Sequence, residues 1–367
     1  MFPWLIHWIL LLLGIAYGAV TAVLVAGLFR LKRPVPAADR QPLSVIIAAR
    51  NEEAHLNALL DSLDRQTFPK DLFEVIVVDD RSTDATSSLL HAAAERFPFL
   101  HVVRIDENRS DLPHKKHALQ RGIAAARHEI LVFTDADCIA APEWLDHVSR
   151  AFTPEVGAVA GYSPYANVSS RSYLRLEEFT NTLFAASAIQ WGRPYLCTGR
   201  NFAYRRSVFT AVGGFDSIKQ SVSGDDDLML QRIAREKEWT VRYMTGAGSI
   251  VRTAAPQSLR QFIHQRTRHV SASRYYPLHI TAMYGVQHLF HLAIVIGFFI
   301  APQQAVLALL WKYNADALLV SAGREPFGEQ FGFPSFILND TAMMLYSFVI
   351  GPLGYLRPFD WKGTTSA

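Results

Sequence analysis

Apolar and polar positions alternate along this chain in three different ways. From Trp4 to Phe29 there is no Asp, Glu, Lys or Arg. At about 1.5 Å rise per residue, a helix of that length exceeds the roughly 30 Å of a bilayer's hydrocarbon core. A cleaved leader fits poorly, because the apolar run is too long, no basic residue precedes it, and Arg30, Lys32 and Arg33 follow it. Those cations place that end in the cytosol, with Trp4 and Trp8 at the opposite interface. The pattern therefore predicts an N-terminal anchor over 1–33, then a short linker opened by Pro34 and Pro36.

From Leu43 to Arg252 the period changes. Ser44–Ala48, Glu74–Val78, His101–Ile105 and Ile130–Thr134 are short, β-branched and almost continuously apolar, the pattern of strands covered on both faces. Helical patterns over Glu52–Arg65, Asp84–Phe97 and His117–Ala126 separate them. Strand–helix alternation predicts an α/β domain over 43–252 with a mostly parallel, right-handed wound sheet. In such sheets ligands bind at the carboxyl ends of the strands.

After Thr253 a third regime begins. The stretch 253–276 includes Leu259–Arg274, with Arg260, Arg266, Arg268, Arg274, His264 and His269. It predicts an amphipathic helix on a membrane surface, with Phe262, Ile263 and Val270 inward. Apolar segments follow at about 278–300, 302–320 and 335–356, giving a membrane region over 277–367 with two or three spans. The second carries Lys312 and Asp316, four apart, so it is either a polar-lined span or a surface helix. Three crossings would put the C-terminus outside, against the preference of Arg357 and Lys362.

Composition refines the picture only a little. Half the residues are apolar (50%) yet 19% are charged, as expected of a globular domain joined to membrane segments. A net charge of +3 gives no support for nucleic-acid binding. Cys138 and Cys197 lack metal-site spacing and read as buried thiols of a reducing compartment.

The candidate chemistry sits at the strand ends. Asp135 and Asp137 flank one residue after ILVFT, a spacing that lets two carboxylates reach one hard cation, Mg2+ or Mn2+, whose other ligands are phosphate oxygens and water. Alternatively the pair is a solvated turn. Asp79 and Asp80 end the second strand; with Ser82 or Asp84 capping the next helix, Asp80 is left to face the crevice and accept from a base or ribose. Asp225, Asp226 and Asp227 precede the helical pattern LMLQRIA. A helix dipole accounts for one or two of them, and a third can take a proton from a hydroxyl. His114–Lys115–Lys116–His117 reads as a solvated loop in which a lysine can neutralise phosphate. In Gln265–Arg266–Thr267–Arg268 the arginines suit a diphosphate or anionic lipid headgroups.

In order, SVIIAARNEE (44–53), EVIVVDDRSTDAT (74–86), KKHAL (115–119), FTDAD (133–137), TGRNFAYRRSVFTAVGGFD (198–216), SGDDDLMLQR (223–232) and QRTRH (265–269) resemble the motifs of membrane-bound, inverting family 2 glycosyltransferases. The resemblance implies a GT-A-type, Rossmann-like nucleotide-sugar domain with an N-terminal transmembrane helix and C-terminal transmembrane helices, on the cytoplasmic side of the cell membrane. It implies donor contacts from Ala49, Asn51, Glu52, Asp80, Lys115, Asp135, Gln265 and Arg268, and a divalent metal on Asp135 and Asp137. It places the general base at Asp225, with Asp226 as fallback, and puts Gly199, Arg200, Asn201 and His269 on the acceptor side. The sequence departs from the pattern twice: Gly224 stands where Glu is usual, and His269 replaces a Trp that helps hold an acceptor sugar. The His269 departure favours a lipid acceptor, and the resemblance implies a nucleotide-sugar donor, expected to be a UDP-sugar. A processive polysaccharide synthase is the alternative within the class, and a catalytically silent nucleotide-binding scaffold outside it. A nucleotidyltransferase would lack a reason for QRTR beside the membrane.

Overall fold

The computed structural model describes residues 3–31, 39–107, 111–356, 360–361 and 364–365; Lys32, Arg33, Pro34, Pro36, Arg357 and Lys362 lie outside them. The chain divides into two compact units.

The sheet unit covers Lys32–Asn167, Gly192–Pro256 and Pro358–Ala367. Up to Thr253 its strands are β1 (Leu43–Ala49), β2 (Phe73–Asp80), β3 (Leu100–Ile105), β4 (Ile130–Phe133), β5 (Cys138–Ala140), β6 (Val156–Ala160), β7 (Phe202–Arg205), β8 (Thr240–Tyr243) and β9 (Val251–Thr253). Seven of them form one sheet in the order β3-β2-β1-β4-β7-β6-β8, and β5 pairs with β9 separately. β1, β2, β3 and β4 run parallel, with Val45 opposite Val75 and Val132. The expected parallel sheet is thus half the result: β7 lies antiparallel between β4 and β6.

All eight residues of β2 are buried, as its unbroken apolar run requires of a strand covered on both faces. Leu56, Leu60 and Leu63 from the helix after β1 join Val45, Val75, Val132 and Trp144 in the core beneath. Strand order reverses between β1 and β4, so the crevice at their carboxyl ends is where a wound sheet takes a ligand.

The helices are α1 (Pro3–Phe29), α2 (Leu56–Asp64), α3 (Thr86–Arg96), α4 (His114–Ala125), α5 (Trp144–Ala151), α6 (Tyr173–Gln190), α7 (Arg206–Ala211), α8 (Asp227–Ile233), α9 (Leu259–Ala272), α10 (Leu278–Ile300), α11 (Pro302–Phe327) and α12 (Phe333–Leu356). The helix expected from His117 starts three residues earlier, so HKKH is a first turn and not a solvated loop; Lys116 and His117 are buried.

The helical unit covers Met1–Leu31, Val168–Trp191 and Gln257–Arg357. It takes α6 out of the continuous span 43–252. Among the described residues, Trp4–Phe29, Leu278–Ile300 and Pro302–Phe327 are long and apolar enough to cross a membrane. Lys312 is 1% exposed and pairs with Asp316 at 2.7 Å and with Asp340 of α12, while Tyr17 of α1 donates to Asp316. α11 is therefore polar-lined, its charges turned to neighbouring helices as burial demands.

On α9 the protein itself covers two polar positions. Arg266 and Thr267 are buried, whereas Ile263 is exposed. Arg266 donates to both carboxylate oxygens of Glu177 on α6, so it serves the packing of these helices and is not available to a diphosphate. A buried guanidinium needs such a bidentate partner, and hydropathy alone does not reveal it.

Candidate active site

Backbone strain marks the rim of the crevice. Asn51 after β1 and Arg81 after β2 have φ of 57° and 56°, the left-handed region that side chains other than Asn and Gly seldom adopt. The two loops hold each other there. Asn51 N–H donates to Ser82 Oγ (3.1 Å), Thr83 N–H to Asn51 Oδ1 (2.8 Å), Glu52 N–H to Thr86 Oγ1 (2.8 Å) and Ala85 N–H to Glu53 Oε2 (2.8 Å). Asn51 thus spends its side-chain oxygen on the neighbouring loop.

The two aspartates ending β2 divide their roles. Asp79 accepts from Ser82 N–H at 3.1 Å and from the Ser87 hydroxyl, which ties the start of α3 to the strand. Asp80, 4% exposed, accepts from Arg81 Nε at 2.8 Å. Arg81 and Arg50 both point a guanidinium at His114 Nδ1, at 2.7 and 3.0 Å. Burial and then the Arg81 charge push the His114 pKa down, partly offset by Asp80. The sequence sets Arg50 in the polar end of the first strand and His114 in an expected loop, but gives no role to Arg81, whose only mark there is its place directly after Asp80.

Lys115 and Lys116 are successive on α4 and so point about 100° apart. The Lys115 ammonium lies 3.0 Å from Asp135 Oδ1 and 3.0 Å from Asp225 Oδ2. One cation thus joins the carboxylate after β4 to the carboxylate ahead of α8. Lys115, Phe133, Asp135, Gly199, Tyr204 and Asp225 line one small cleft.

Asp137, like Asp135, is half-buried. Burial and the Asp135 charge raise its pKa, opposed by Arg200 and His55. Two carboxylates spaced by one residue are hard oxygen donors of the kind suited to a divalent cation. Among the described residues no group of three or more His, Cys, Asp or Glu side chains is placed to hold a metal ion.

The three aspartates before Leu228 separate by partner. Asp227 Oδ1 accepts from Cys197 N–H at 2.8 Å. Asp226 is the cap of α8, accepting from Asp227 N–H (2.8 Å) and from Gly199 N–H (2.8 Å). Burial, then Asp225, raise the Asp226 pKa. Asp225 is left to face Lys115. Gly224 has φ of 77°, and a Cβ there would stand 2.7 Å from Leu228 Cγ. This backbone therefore rejects the Glu usual at that position.

Gly199 borders the site through Asp226. Arg200 is 8% exposed, donates to Thr198 Oγ1 at 2.9 Å and acts electrostatically on Asp137, so it turns toward the DAD pair. Asn201 is 1% exposed and fully committed: Nδ2 donates to Tyr162 O (2.9 Å) and Ser249 O (2.8 Å), and Oδ1 accepts from Trp144 Nε1 (3.0 Å). It braces the wall and does not line an acceptor cleft. Ala49 is buried in β1. Gln265, Arg268 and His269 belong to the helical unit, where Arg268 Nη2 lies 3.3 Å from His269 Nε2.

The family model described as "Glycosyl transferase family 2" matches residues 44–213, and that described as "Glycosyl transferase family group 2" matches residues 130–350. A probable glycosyltransferase, YdaM of Bacillus subtilis, is 25% identical over 248 residues, covering 66% of this chain and 57% of the relative. A β-monoglucosyldiacylglycerol synthase of Synechocystis is 29% identical over 191 residues, covering 51% of this chain and 39% of the relative. The chain spans about half the length of the curated relatives it matches, or less. The mannosyltransferase PcManGT of Pyrobaculum calidifontis, solved with GDP-Man and Mn2+, has the same fold: TM-score 0.60 at 22% identity, covering 96% of this chain and 99% of that one.

Proposed function

This chain belongs to glycosyl transferase family 2, and on that premise we propose that it transfers a sugar, with inversion, from a nucleoside-diphosphate donor to a lipid acceptor at the cytoplasmic face of a membrane. The observation that carries the proposal is the Lys115 ammonium held 3.0 Å from both Asp135 and Asp225, which brings donor-side and acceptor-side carboxylates to one cleft. The apolar helices α1, α10 and α11 and the glycolipid synthase among the relatives favour a lipid acceptor. The cations that follow α1 favour the cytoplasmic side.

In this reading Asp225 takes the proton of the acceptor hydroxyl as its oxygen forms a bond to the anomeric carbon from the face opposite the leaving group. The bond from that carbon to the diphosphate oxygen breaks, and the diphosphate departs with the electron pair. Asp135 and Asp137 would hold a divalent cation, Mg2+ or Mn2+, which would supply neutralising charge for the diphosphate. Lys115 leaves Asp135 for the donor phosphates when they arrive. Asp80, Arg81, Arg50 and His114 form the nucleoside side. With Asn201 committed to the wall, Gly199 remains for the acceptor.

The test incubates membranes containing the chain with labelled UDP- and GDP-sugars and extracts the lipid. Label in a lipid product, lost in Asp225→Asn and in Asp137→Ala with folding intact, is expected. Wild-type turnover in either variant, or label only in a long polymer, refutes the reading.

A further inference from the structure

Lys116 has no role in the chemistry proposed above, yet it is among the most completely buried polar side chains of the sheet unit, 0% exposed. Its ammonium donates to Ile218 O (2.8 Å), Ser221 O (2.5 Å) and Ser223 O (3.0 Å). An ammonium carries three N–H donors and no acceptor, so all three are spent on one short segment of backbone. That segment, 218–223, ends at Gly224 with its left-handed φ and leads directly into Asp225.

Isolated burial of a charge costs far more than folding leaves over, so such a lysine persists only where it is compensated. Here three carbonyl dipoles compensate it, together with the charges of Asp225 and Asp226. Burial pulls its pKa down to about 8, opposed by those two carboxylates. Within 218–223 the described backbone makes one hydrogen bond of its own, Ser221 N–H to Ile218 O at 3.4 Å. Three carbonyls of an irregular loop thus depend on a side chain from α4. The next residue back on α4 is Lys115, whose ammonium touches Asp225 from the cleft side. The first turn of one helix therefore grips the loop from beneath and meets its carboxylate from above.

We propose that Lys116 is a positioning residue, holding 218–223 so that Asp225 faces the cleft at the height of Lys115. This rests on the reading of Asp225 as the proton acceptor. Lys116 touches neither donor nor acceptor and acts only through the loop.

The experiment uses the full chain in lipid nanodiscs and compares wild type, Lys116→Met and Lys116→Gln. Methionine matches the length of the stem and removes all three donors; glutamine keeps two on a shorter arm. In Lys116→Met, amide hydrogen exchange over 218–227 is expected to accelerate at least about tenfold while other segments stay within about threefold. Sugar transfer should lose at least about thirtyfold in kcat with the donor KM within about threefold, and Lys116→Gln should recover part of kcat. If Lys116→Met does not accumulate folded, Lys116→Gln carries the same readouts against wild type. Unchanged exchange over 218–227 overturns the proposal, as does a loss of kcat matched by an equal rise in donor KM. Should exchange accelerate while the wild-type chain transfers no sugar to any acceptor, the grip on the loop stands and its catalytic purpose falls with the sugar-transfer reading.

Discussion

Asn201→Asp separates a wall residue from an acceptor-lining one, because it changes one heavy atom and almost no volume. In the native chain Nδ2 supplies hydrogen bonds to Tyr162 O and Ser249 O at 2.9 and 2.8 Å, while Oδ1 accepts from Trp144 Nε1. The substitution keeps the Trp144 bond and replaces the amide donor with a carboxylate oxygen facing two carbonyls. Each hydrogen bond lost is worth about 1 kcal/mol, and each buried acceptor left unpaired costs about 1–3 kcal/mol. With the residue 1% exposed, water cannot relieve them. The expected loss is about 3–5 kcal/mol of the stability of the sheet unit, a fall of roughly 10 °C or more in Tm. Thermal unfolding of the purified chain, followed by tryptophan fluorescence, measures it, with acceptor KM determined on whatever fraction folds. A Tm within about 2 °C of wild type, accompanied by a raised acceptor KM, would refute the structural role and return Asn201 to the acceptor side.

Three further outcomes follow from the same reasoning. Gly224→Ala puts a Cβ into Leu228 and an L-residue at φ 77°, for about 1–2 kcal/mol from the backbone alone; chemical denaturation should show it, and an unchanged midpoint would mean the turn is free to relax. Glu177→Ala strands Arg266 inside the helical unit and should cost about 3–5 kcal/mol, whereas the paired change Glu177→Leu with Arg266→Met costs much less; equal losses would show that the pair is not the cause. Burial pushes the Glu74 pKa up, but the Ser44 hydroxyl and the Arg127 backbone and side chain outweigh it and hold the group below the usual glutamate value. Its stabilisation is therefore complete above the unfolded-state pKa of about 4.3 and is lost as pH falls through the lower folded value. Stability curves from pH 7 to 3 should be flatter on the acid side in Glu74→Gln, and parallel curves would count against the assignment.

Much of the fold is legible in the chain because burial on both faces leaves an unmistakable run. EVIVV is read as a strand and lies within one, Phe73–Asp80, buried along its whole length. The antiparallel β7 was not legible: FAYR carries no mark of direction, which depends on where the preceding connection leaves the chain. Helix starts were read two to four residues out at α2, α3 and α4. No side chain caps any of the three in the strict sense, and nearby bonds such as Thr86 N–H to Asp84 set the entry instead.

Acidic residues at three strand or helix ends are a property of sequence order, since a wound sheet gathers the carboxyl ends of its parallel strands wherever the apolar runs lie. Which atom does what is not. DDD is three identical side chains in a row, and only the approach of Cys197, Gly199 and Lys115 from distant stretches gives each its own partner. KK is two identical cations, and one helical step of about 100° sends one into the cleft and the other beneath the loop. Arg266 and Asn201 have the polar character of ligand contacts, but tertiary neighbours consume their hydrogen bonds. Local pattern determines which segments are buried and which ends are charged, because those follow from nearest neighbours along the chain. The division of labour among like residues depends on contacts between residues far apart in sequence, and these exist only in the folded protein.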